Sequence, residues 1–146
     1  MPKTLDLAKT LRERGVPVTH QRLAVYEQLR RAKDHPSAED IYLRLKPRFP
    51  ALSLATVYKT LQSLQNLGLV SLVNRPHVEA RYDAIVDLHH HAICEGCGRI
   101  EDLFDERLDA LKPPAKANGF QVAGHSVHFR GLCAQCARRK DNRRKK

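Results

Sequence analysis

All four cysteines of this chain lie in two Cys-x-x-Cys pairs, Cys94 with Cys97 and Cys133 with Cys136. Each pair can supply two corners of a tetrahedron around one Zn²⁺, provided that the intervening chain brings the pairs together. The spacing therefore predicts a closed structural zinc site, because four thiolates leave no open position for water or substrate. A disulfide framework and a redox Cys-x-x-Cys are the alternatives, but neither a signal peptide nor a βαβ junction supports them.

Three consecutive histidines, His89, His90 and His91, precede the first cysteine pair. In an extended segment alternate residues share a face, so His89 and His91 point one way and His90 points the other. Two imidazoles with carboxylates from neighbouring segments form a nitrogen and oxygen donor set that suits Fe²⁺, Mn²⁺ or Zn²⁺. The pattern therefore predicts a second metal site beside the cysteines.

Helices separated by clear breaks are predicted for the first half of the chain, from apolar residues at helical spacing. Thr19, Ser37 and Ser53 are suitable caps for three of them, since a hydroxyl at the cap accepts hydrogen bonds from exposed backbone amides. Two strand-like runs follow, around the turn 74–76. The predicted elements are helices over residues 5–14, 19–32, 37–48 and 54–66, and strands over residues 69–73 and 78–83. This order is typical of a winged helix-turn-helix domain.

The fourth predicted helix has the composition of a DNA-reading helix. Its first turns carry small polar residues, an aromatic hydroxyl and a cation, which can contact phosphates and base edges in the major groove. Arg22 of the second helix is a further candidate for a phosphate contact. The candidate DNA-binding residues are Arg22, Ser53, Ala55, Thr56, Tyr58 and Lys59. An ordinary amphipathic surface helix is the alternative, because helix-turn-helix patterns are degenerate.

The formal net charge of +10 is distributed unevenly along the chain. Residues 1–82 carry 14 basic and 7 acidic side chains, residues 83–137 carry 5 and 8, and residues 138–146 carry 7 and 1. A basic first half suits nucleic acid, whereas the acidic middle holds all the cysteines and most of the histidines. We expect residues 138–146 to form a disordered basic tail. No apolar run approaches membrane-spanning length, so we expect a cytoplasmic protein with no membrane partner.

Several motifs together resemble the Fur family of metalloregulators over nearly the whole chain. They are His35-Pro-Ser-Ala-Glu-Asp-Ile-Tyr42, Ser53-Leu-Ala-Thr-Val-Tyr58, Arg81-Tyr-Asp83, His89-His-His-Ala-Ile-Cys94 with Cys97, and Cys133-Ala-Gln-Cys136. The resemblance implies an α/β (α+β) fold, with a winged-helix DNA-binding domain over residues 1–84. An α/β dimerisation and metal-binding domain with the four-cysteine zinc site would occupy residues 85–137. In it, strands near 90–94, 99–103 and 121–130 would flank a helix over 105–118.

Members of the Fur family repress transcription as dimers when a regulatory metal bridges the two domains. Carried onto this sequence, the resemblance implies an Fe²⁺ or Mn²⁺ site at His35, Asp83, His89, His91 and Asp102. Metal binding would close the angle between the domains and so select the shape that binds an operator, an AT-rich inverted repeat in double-stranded DNA. The alternative for His35, which precedes a proline, is an ordinary loop or capping residue.

The carboxylates of this set resemble those of the peroxide-sensing PerR branch, because Asp83 and Asp102 stand where iron-sensing Fur proteins tend to have Glu. The resemblance implies that Fe²⁺ reacts with hydrogen peroxide and that the radical product oxidises His35 or His89 to 2-oxo-histidine. Loss of the metal would then release the operator. An iron-responsive (Fur) or zinc-responsive (Zur) repressor without peroxide sensing is the alternative.

His90 departs from both branches, since PerR proteins often have an aromatic residue at this position and Fur proteins have Asp. With Asp109 and His125 it would form a further metal site of the Fur kind. The simpler interpretation is a surface histidine on a strand.

Two other classes of protein are consistent with parts of the sequence. A zinc-dependent hydrolase would use His89, His91 and an acid as an open site, but the chain has no H-E-x-x-H motif and no Gly-rich phosphate loop. A structural zinc-ribbon module would explain the cysteines and leave the histidine and carboxylate set without a purpose. We therefore expect a regulator and not an enzyme.

Overall fold

The computed structural model describes residues 6–73, 79–114 and 118–144. The chain divides into two compact units, Met1–Val86 and Asp87–Lys146. Each described part combines helices with a small sheet, which gives an α+β fold. Within the described ranges, no helix combines the length and the apolar character that a membrane span requires.

Four helices and a two-stranded antiparallel sheet form the first unit within the residues described. Their bounds are α1 Leu7–Glu13, α2 His20–Arg31, α3 Ala38–Leu45, α4 Leu54–Asn66, β1 Ser71–Val73 and β2 Arg81–Asp83. The predicted bounds of α4 are confirmed, and α2 lies within the predicted range 19–32, with Thr19 and Ala32 as its caps. Thr19, Ser37 and Ser53 each accept a backbone amide hydrogen bond as expected. α3 ends at Leu45 rather than Arg48, because Pro47 has no N–H to continue the helical hydrogen bonds. The predicted turn 74–76 lies outside the described residues.

The helices of the first unit pack around one apolar core. α4 presents Val57, Leu61 and Leu64 to this core, and all three side chains are completely buried at helical spacing. α2 contributes Val25 and α3 contributes Ile41 to the same cluster. Burial of a large aliphatic side chain stabilises the fold by about 1.5–3 kcal/mol. The core therefore fixes α4 by one face and leaves its opposite face exposed.

A capping box starts α3 directly after the His35-Pro36 segment. The Ser37 Oγ accepts from the Asp40 N–H over 3.1 Å, and the Asp40 carboxylate accepts from the Ser37 N–H over 3.0 Å. The second hydrogen bond lowers the pKa of Asp40, and the Ser37 hydroxyl and the nearby Arg81 lower it further, since each favours the carboxylate. The box fixes the point at which the chain leaves the loop that carries His35.

Ser37→Ala is expected to lower the free energy of unfolding by about 1 kcal/mol, because the buried cap hydroxyl is lost. Chemical denaturation at neutral pH measures this change. The matched control is Ser71→Ala at an exposed position of β1, which should change the stability by less than about 0.5 kcal/mol. Equal effects of the two substitutions would contradict the capping role.

A three-stranded sheet in the order β4-β3-β5 forms the centre of the second unit. Its strands are β3 His90–Cys94, β4 Ile100–Leu103 and β5 His128–Gly131, and the helices of this unit are α5 Glu106–Asp109 and α6 Ala134–Arg144. β3 runs antiparallel to β4 and parallel to β5. The buried apolar set of this unit is small, with Ile93, Cys94 and Ile100 in the described part.

Two elements of the second unit differ from the expectation. The helix expected over residues 105–118 ends at Asp109, and the consecutive residues Pro113 and Pro114 prevent its continuation, because neither has an N–H. The strand expected over residues 121–130 pairs with β3 only from His128. Residues 115–117 lie outside the described part of the chain.

The basic C-terminal segment is helical, so the expectation of a disordered tail over residues 138–146 was wrong as far as Arg144. α6 starts directly after Cys133, where the Ala137 N–H donates to the Cys133 carbonyl over 2.9 Å. Ala, Gln, Arg and Lys predominate in the segment, and these residues have high helix propensity. Charge alone was therefore a poor guide to disorder in this segment.

Candidate metal centres

The four cysteines converge in the second unit. One sulfur atom from each of Cys94, Cys97, Cys133 and Cys136 lies within 4.8 Å of the other three. The Cys97 and Cys133 Sγ atoms are 3.8 Å apart, which is about the edge of a tetrahedron with Zn–S bonds of about 2.3 Å. The cysteines are not paired in disulfides. The arrangement fits a closed Zn(Cys)₄ site.

Backbone N–H groups stabilise the thiolate form of one of these cysteines. The Cys133 N–H donates to the Cys94 Sγ over 3.2 Å, and hydrogen bonds from the amides of Cys133 and Cys97 lower the pKa of Cys94 to about 6. The pKa of Cys136 is instead raised to about 12 by desolvation and by the neighbouring thiols. Four such groups ionise together only when a cation offsets their mutual repulsion.

Gly96 allows the two cysteine pairs to approach each other. A Cβ atom at this position would lie 3.0 Å from both the Cβ and the Sγ of Cys136. The contact is tighter than side chains tolerate without movement of the cysteine. Glycine between Cys94 and Cys97 therefore lets the two pairs approach without displacement of Cys136.

β3 and β4 bring three predicted metal ligands together on one face of the second unit. His91 pairs directly with Asp102 across the strands, and His89 lies two residues before His91. The Nε2 atoms of His89 and His91 are 3.1 Å apart, and each lies 3.6 Å from Asp102 Oδ1. Both imidazoles are buried, whereas the Asp102 side chain is 22% exposed. Two nitrogens and one oxygen therefore meet in a small volume, in which the Asp102 Oδ1 atom is itself buried.

The orientation of His89 is fixed from its other ring nitrogen. His89 Nδ1 lies 2.8 Å from the Asp87 carbonyl oxygen, which can only accept, so Nδ1 carries the proton. The Nε2 atom of His89 then holds a lone pair on the side of His91 and Asp102. A hydrogen bond of this kind to a backbone carbonyl is typical of metal-binding histidines.

The first unit holds the other two predicted ligands as a buried pair. His35 Nε2 lies 3.5 Å from Asp83 Oδ2, and Asp83 Oδ1 accepts from the Ile85 N–H over 2.7 Å. His35 has a φ of +48°, which costs a residue with a side chain about 1–3 kcal/mol. The Tyr82 N–H donates to the Pro36 carbonyl over 3.1 Å and so ties the loop to β2. Strained residues held in this way are concentrated at functional sites.

The residues of the predicted third site also lie close together, in an arrangement that uses both nitrogens of His90. The completely buried His90 accepts from the Val127 N–H at Nδ1 over 3.1 Å, so its Nε2–H donates to Asp109 Oδ1 over 2.9 Å. His125 stacks on the His90 ring at 5.8 Å, and its Nε2–H donates to the Leu108 carbonyl over 2.7 Å. His90 is thus neither at the surface nor free of hydrogen bonds, and in this arrangement it holds β3 to α5.

The candidate DNA-binding residues of α4 form an exposed patch at its N-terminus. Ser53, Ala55, Tyr58 and Lys59 are exposed, and Thr56 is half-buried and hydrogen-bonded to the Ser53 hydroxyl over 2.8 Å.

Two of the polar candidates already have partners within the first unit. The Tyr58 hydroxyl donates to Glu39 Oε1 over 2.5 Å, and this hydrogen bond raises the pKa of Tyr58 to about 12. The Arg22 guanidinium donates to the Pro17 carbonyl and is only partly exposed. The structure therefore presents the Tyr58 ring and the Lys59 charge more directly than the guanidinium of Arg22.

Two aromatic rings beside the histidine and carboxylate face were missed by the sequence analysis. Phe104 stacks on His89 with ring centroids 5.6 Å apart, and His128 of β5 meets His91 edge-on at 5.3 Å. The alternation Asp102-x-Phe104 was a usable signal for the first, since residues two apart in an extended segment share a face and Phe104 directly follows β4. His128 follows from the strand register, which sequence alone did not supply.

The N-terminal unit has the element order of a winged helix, and the α+β unit that follows contains clustered cysteines and histidines. These two features together define the class of DNA-binding metalloregulators. Residues 13–130 match the ferric uptake regulator family, and the chain belongs to this family. It is a Fur-family repressor, and members of the family are transcription regulators rather than enzymes. The predicted family and fold class are thus confirmed.

Relatives of similar length extend the comparison over nearly the whole chain. The peroxide operon regulator of Bacillus subtilis (strain 168) is 38% identical over 138 residues, which are 94% of this chain and 95% of that protein. The peroxide-responsive repressor PerR of Staphylococcus epidermidis is 35% identical over 128 residues, 87% of this chain and 85% of that protein. The crystal structure of the Campylobacter jejuni peroxide stress regulator, 35% identical, has a TM-score of 0.71 and covers 90% of this chain and 100% of its own.

Proposed function

We propose that this Fur-family repressor binds operator DNA as a homodimer when Fe²⁺ or Mn²⁺ occupies a regulatory site, and releases the DNA when peroxide oxidises that site. The observation that carries the proposal is the convergence of His89, His91 and Asp102 on one face of the second unit. Relatives that are peroxide-responsive regulators support the choice of signal. Because the proposed target is operator DNA, we place the protein in the cytoplasm.

The donor atoms favour this metal assignment. His89, His91 and Asp102 of the second unit and His35 and Asp83 of the first supply imidazole nitrogens and carboxylate oxygens, a set that suits Fe²⁺ and Mn²⁺. Zn²⁺ prefers the thiolates, which are already grouped in the cysteine cluster. We therefore propose two kinds of metal on one chain, structural Zn²⁺ on the cysteines and regulatory Fe²⁺ or Mn²⁺ on the histidines and aspartates.

The proposed coupling to DNA follows from the positions of these ligands along the chain. His35 and Asp83 belong to the unit that carries the reading helix, and the other three residues follow the boundary near residue 86. A metal that requires donors from both units is bound only when the units adopt one mutual orientation. Its binding free energy therefore selects one shape of the repressor, and we propose that this shape binds DNA.

The chain's own residues prepare His89 as the target of oxidation. Fe²⁺ at the site would give one electron to hydrogen peroxide, which would yield hydroxide and a hydroxyl radical. Addition of the radical to an imidazole carbon, with loss of one electron to Fe³⁺ and of one proton to the hydroxide, would give 2-oxo-histidine and water. The Asp87 carbonyl keeps His89 in the tautomer whose Nε2 faces the donors. The Asp102 side chain is 22% exposed, so the donor group lies near the surface, and we propose that peroxide approaches it from this side. Oxidation of His35 or His89 would weaken its coordination of the metal, and the metal would dissociate.

The proposed dimer has a suitable surface in the second unit. β5 is an edge strand of the sheet, and all four of its residues are exposed. Phe120, Val122 and Phe129 are large apolar side chains that lie exposed in or just before this strand. An open strand edge beside exposed apolar side chains favours association with a second copy, and Fur-family regulators are dimers.

The proposed DNA contacts lie at the exposed N-terminal patch of α4. A dimer presents two such helices related by a two-fold axis, so its operator is expected to be an inverted repeat, AT-rich as in the family. The net charge of +10 predicts that binding weakens steeply as salt rises. Operator binding measured with Fe²⁺, Mn²⁺ and Zn²⁺, each with and without hydrogen peroxide, tests the whole proposal.

Tyr58→Ala is expected to weaken operator binding about tenfold or more while the metal content stays unchanged, because Tyr58 is exposed at the reading end of α4. Fluorescence anisotropy with operator and scrambled duplexes measures the effect on affinity and on sequence preference. The matched control is Gln65→Ala, an exposed position in the C-terminal part of the same helix. If Tyr58→Ala bound the operator as well as Gln65→Ala does, α4 would not be the reading helix.

A further inference from the structure

The Phe104 ring lies against the face of the His89 imidazole. Their ring centroids are 5.6 Å apart, and the planes are inclined by 24°, which is a stacked arrangement. Among the described residues, the Phe104 side chain is one of the most exposed large apolar groups, with 67% of its surface accessible. A ring this exposed adds little to an apolar core, so its position calls for another explanation.

The stack follows from the register of the two strands. His90 pairs with Leu103, and His91 pairs with Asp102. Continued by one residue, the same antiparallel register places His89 directly opposite Phe104. Phe104 therefore lies on the same face as Asp102, two residues further along, and next to the two imidazoles.

The polar contacts of His89 described above hold its two ring nitrogens. The Asp87 carbonyl holds Nδ1, and Nε2 lies near the Nε2 of His91 and near Asp102 Oδ1. These contacts act at the edge of the imidazole, on the two nitrogens that flank Cε1, and they oppose displacement of the ring perpendicular to its plane only weakly. A flat ring stacked on one face opposes this displacement directly.

We infer that Phe104 is a positioning residue, whose ring holds the His89 imidazole in the orientation that binds the regulatory metal. The inference rests on the proposed function and names a residue outside the proposed ligand set. A ligand that is oriented before the metal arrives binds with a smaller loss of conformational freedom. Loss of the stack should therefore lower the affinity for metal and leave the ligands themselves in place.

Full-length, zinc-loaded protein with Phe104→Leu provides the test, since leucine keeps the apolar bulk and removes the ring. We expect the affinity for Mn²⁺, measured by competition with a fluorescent chelator, to fall about fivefold, as expected for the loss of one aromatic contact. Phe104→Tyr, which keeps the ring, should restore the wild-type affinity. The zinc content and the melting temperature of all three proteins should agree.

A second readout needs no regulatory metal. In the zinc-loaded protein without Mn²⁺, the ring protons of His89 should lose the ring-current shift of Phe104 in Phe104→Leu and keep it in Phe104→Tyr. Equal Mn²⁺ affinities for wild type and Phe104→Leu would overturn the positioning role and leave the proposed function intact. Failure of the wild-type protein itself to bind Mn²⁺ would overturn the proposed regulatory site and this inference with it.

Discussion

Cys133→Ser is expected to give monomeric or aggregated protein that contains no stoichiometric zinc, whereas the wild-type chain should bind one zinc ion and form a dimer. Zinc binding by thiolates contributes on the order of 10 kcal/mol to the folding of small zinc domains, which is about the whole stability of an ordinary domain. The second unit has few buried apolar residues in its described part, so it has little else to offset the loss.

Because of its position, substitution of Cys133 should destabilise the protein more than the loss of one zinc ligand alone would. Its N–H donates to Cys94 Sγ, and its carbonyl accepts from the first turn of α6. The residue therefore connects the two cysteine pairs with the C-terminal helix. Release of its sulfur from zinc should free α6 together with the end of β5.

Metal analysis, analytical ultracentrifugation and thermal unfolding of the purified variant check this expectation. Ala134→Ser is the matched control, because it places a serine at the adjacent exposed position and keeps all four thiols. The control should retain one zinc ion per chain and the dimer. A stable, dimeric Cys133→Ser protein without zinc would show that the cysteine cluster does not support the fold.

Local sequence signals were sufficient for most of the first unit. The bounds of α2 and α4 follow from a hydroxyl cap and a run of apolar residues at helical spacing, and each of these signals acts over a few residues. The packing of Val57, Leu61 and Leu64 in one core agrees with the same periodicity. Local preference and burial point to one solution in this unit, which is why its sequence is informative.

The second unit shows where local signals fail. Charge predicted disorder beyond residue 137, yet the segment continues a helix that begins beside Cys133. Likeness to a family predicted a helix over residues 105–118, although Pro113 and Pro114 already argued for an earlier end. The pairing of β3 with the distant β5 is non-local and could not be obtained from composition or periodicity.

The candidate site was predictable as a set of residues and not as an arrangement. Alternation in a strand correctly placed His89 and His91 on one face with His90 on the other. The hydrogen bonds of His90, the stack of Phe104 on His89 and the tautomer of His89 depend on cross-strand register and on backbone carbonyls. These features have no signature in a single sequence.

Protein loaded with Fe²⁺ and treated with hydrogen peroxide is expected to gain the mass of one oxygen atom on the peptide that contains His35 or His89, and to lose operator binding. A radical formed at the metal meets the ligand carbons within a few ångströms, before it can diffuse to a scavenger. Peptide mass spectrometry and DNA binding, followed in the same samples, measure both effects. Protein loaded with Mn²⁺, which does not support this step, is the control and should show neither change.

Asp102→Glu is expected to retain metal-dependent DNA binding and to become far less sensitive to peroxide. Asp102 lies directly opposite His91, and its Oδ1 atom is 3.6 Å from the Nε2 atom of His89 and from the Nε2 atom of His91. One additional methylene pushes the carboxylate further into this donor group and would leave less room there for peroxide. The variant would then resemble an iron sensor in its response.

The outcomes separate three regulators that share this fold. Oxidised histidine in the iron-loaded wild-type protein, with much less in Asp102→Glu, supports sensing at the regulatory site. Unmodified histidines with release of zinc from the cysteines would mean that the thiols sense peroxide. Equal insensitivity of the iron-loaded and manganese-loaded proteins would leave an iron-responsive or zinc-responsive repressor, since the donor set then controls DNA binding through occupancy alone.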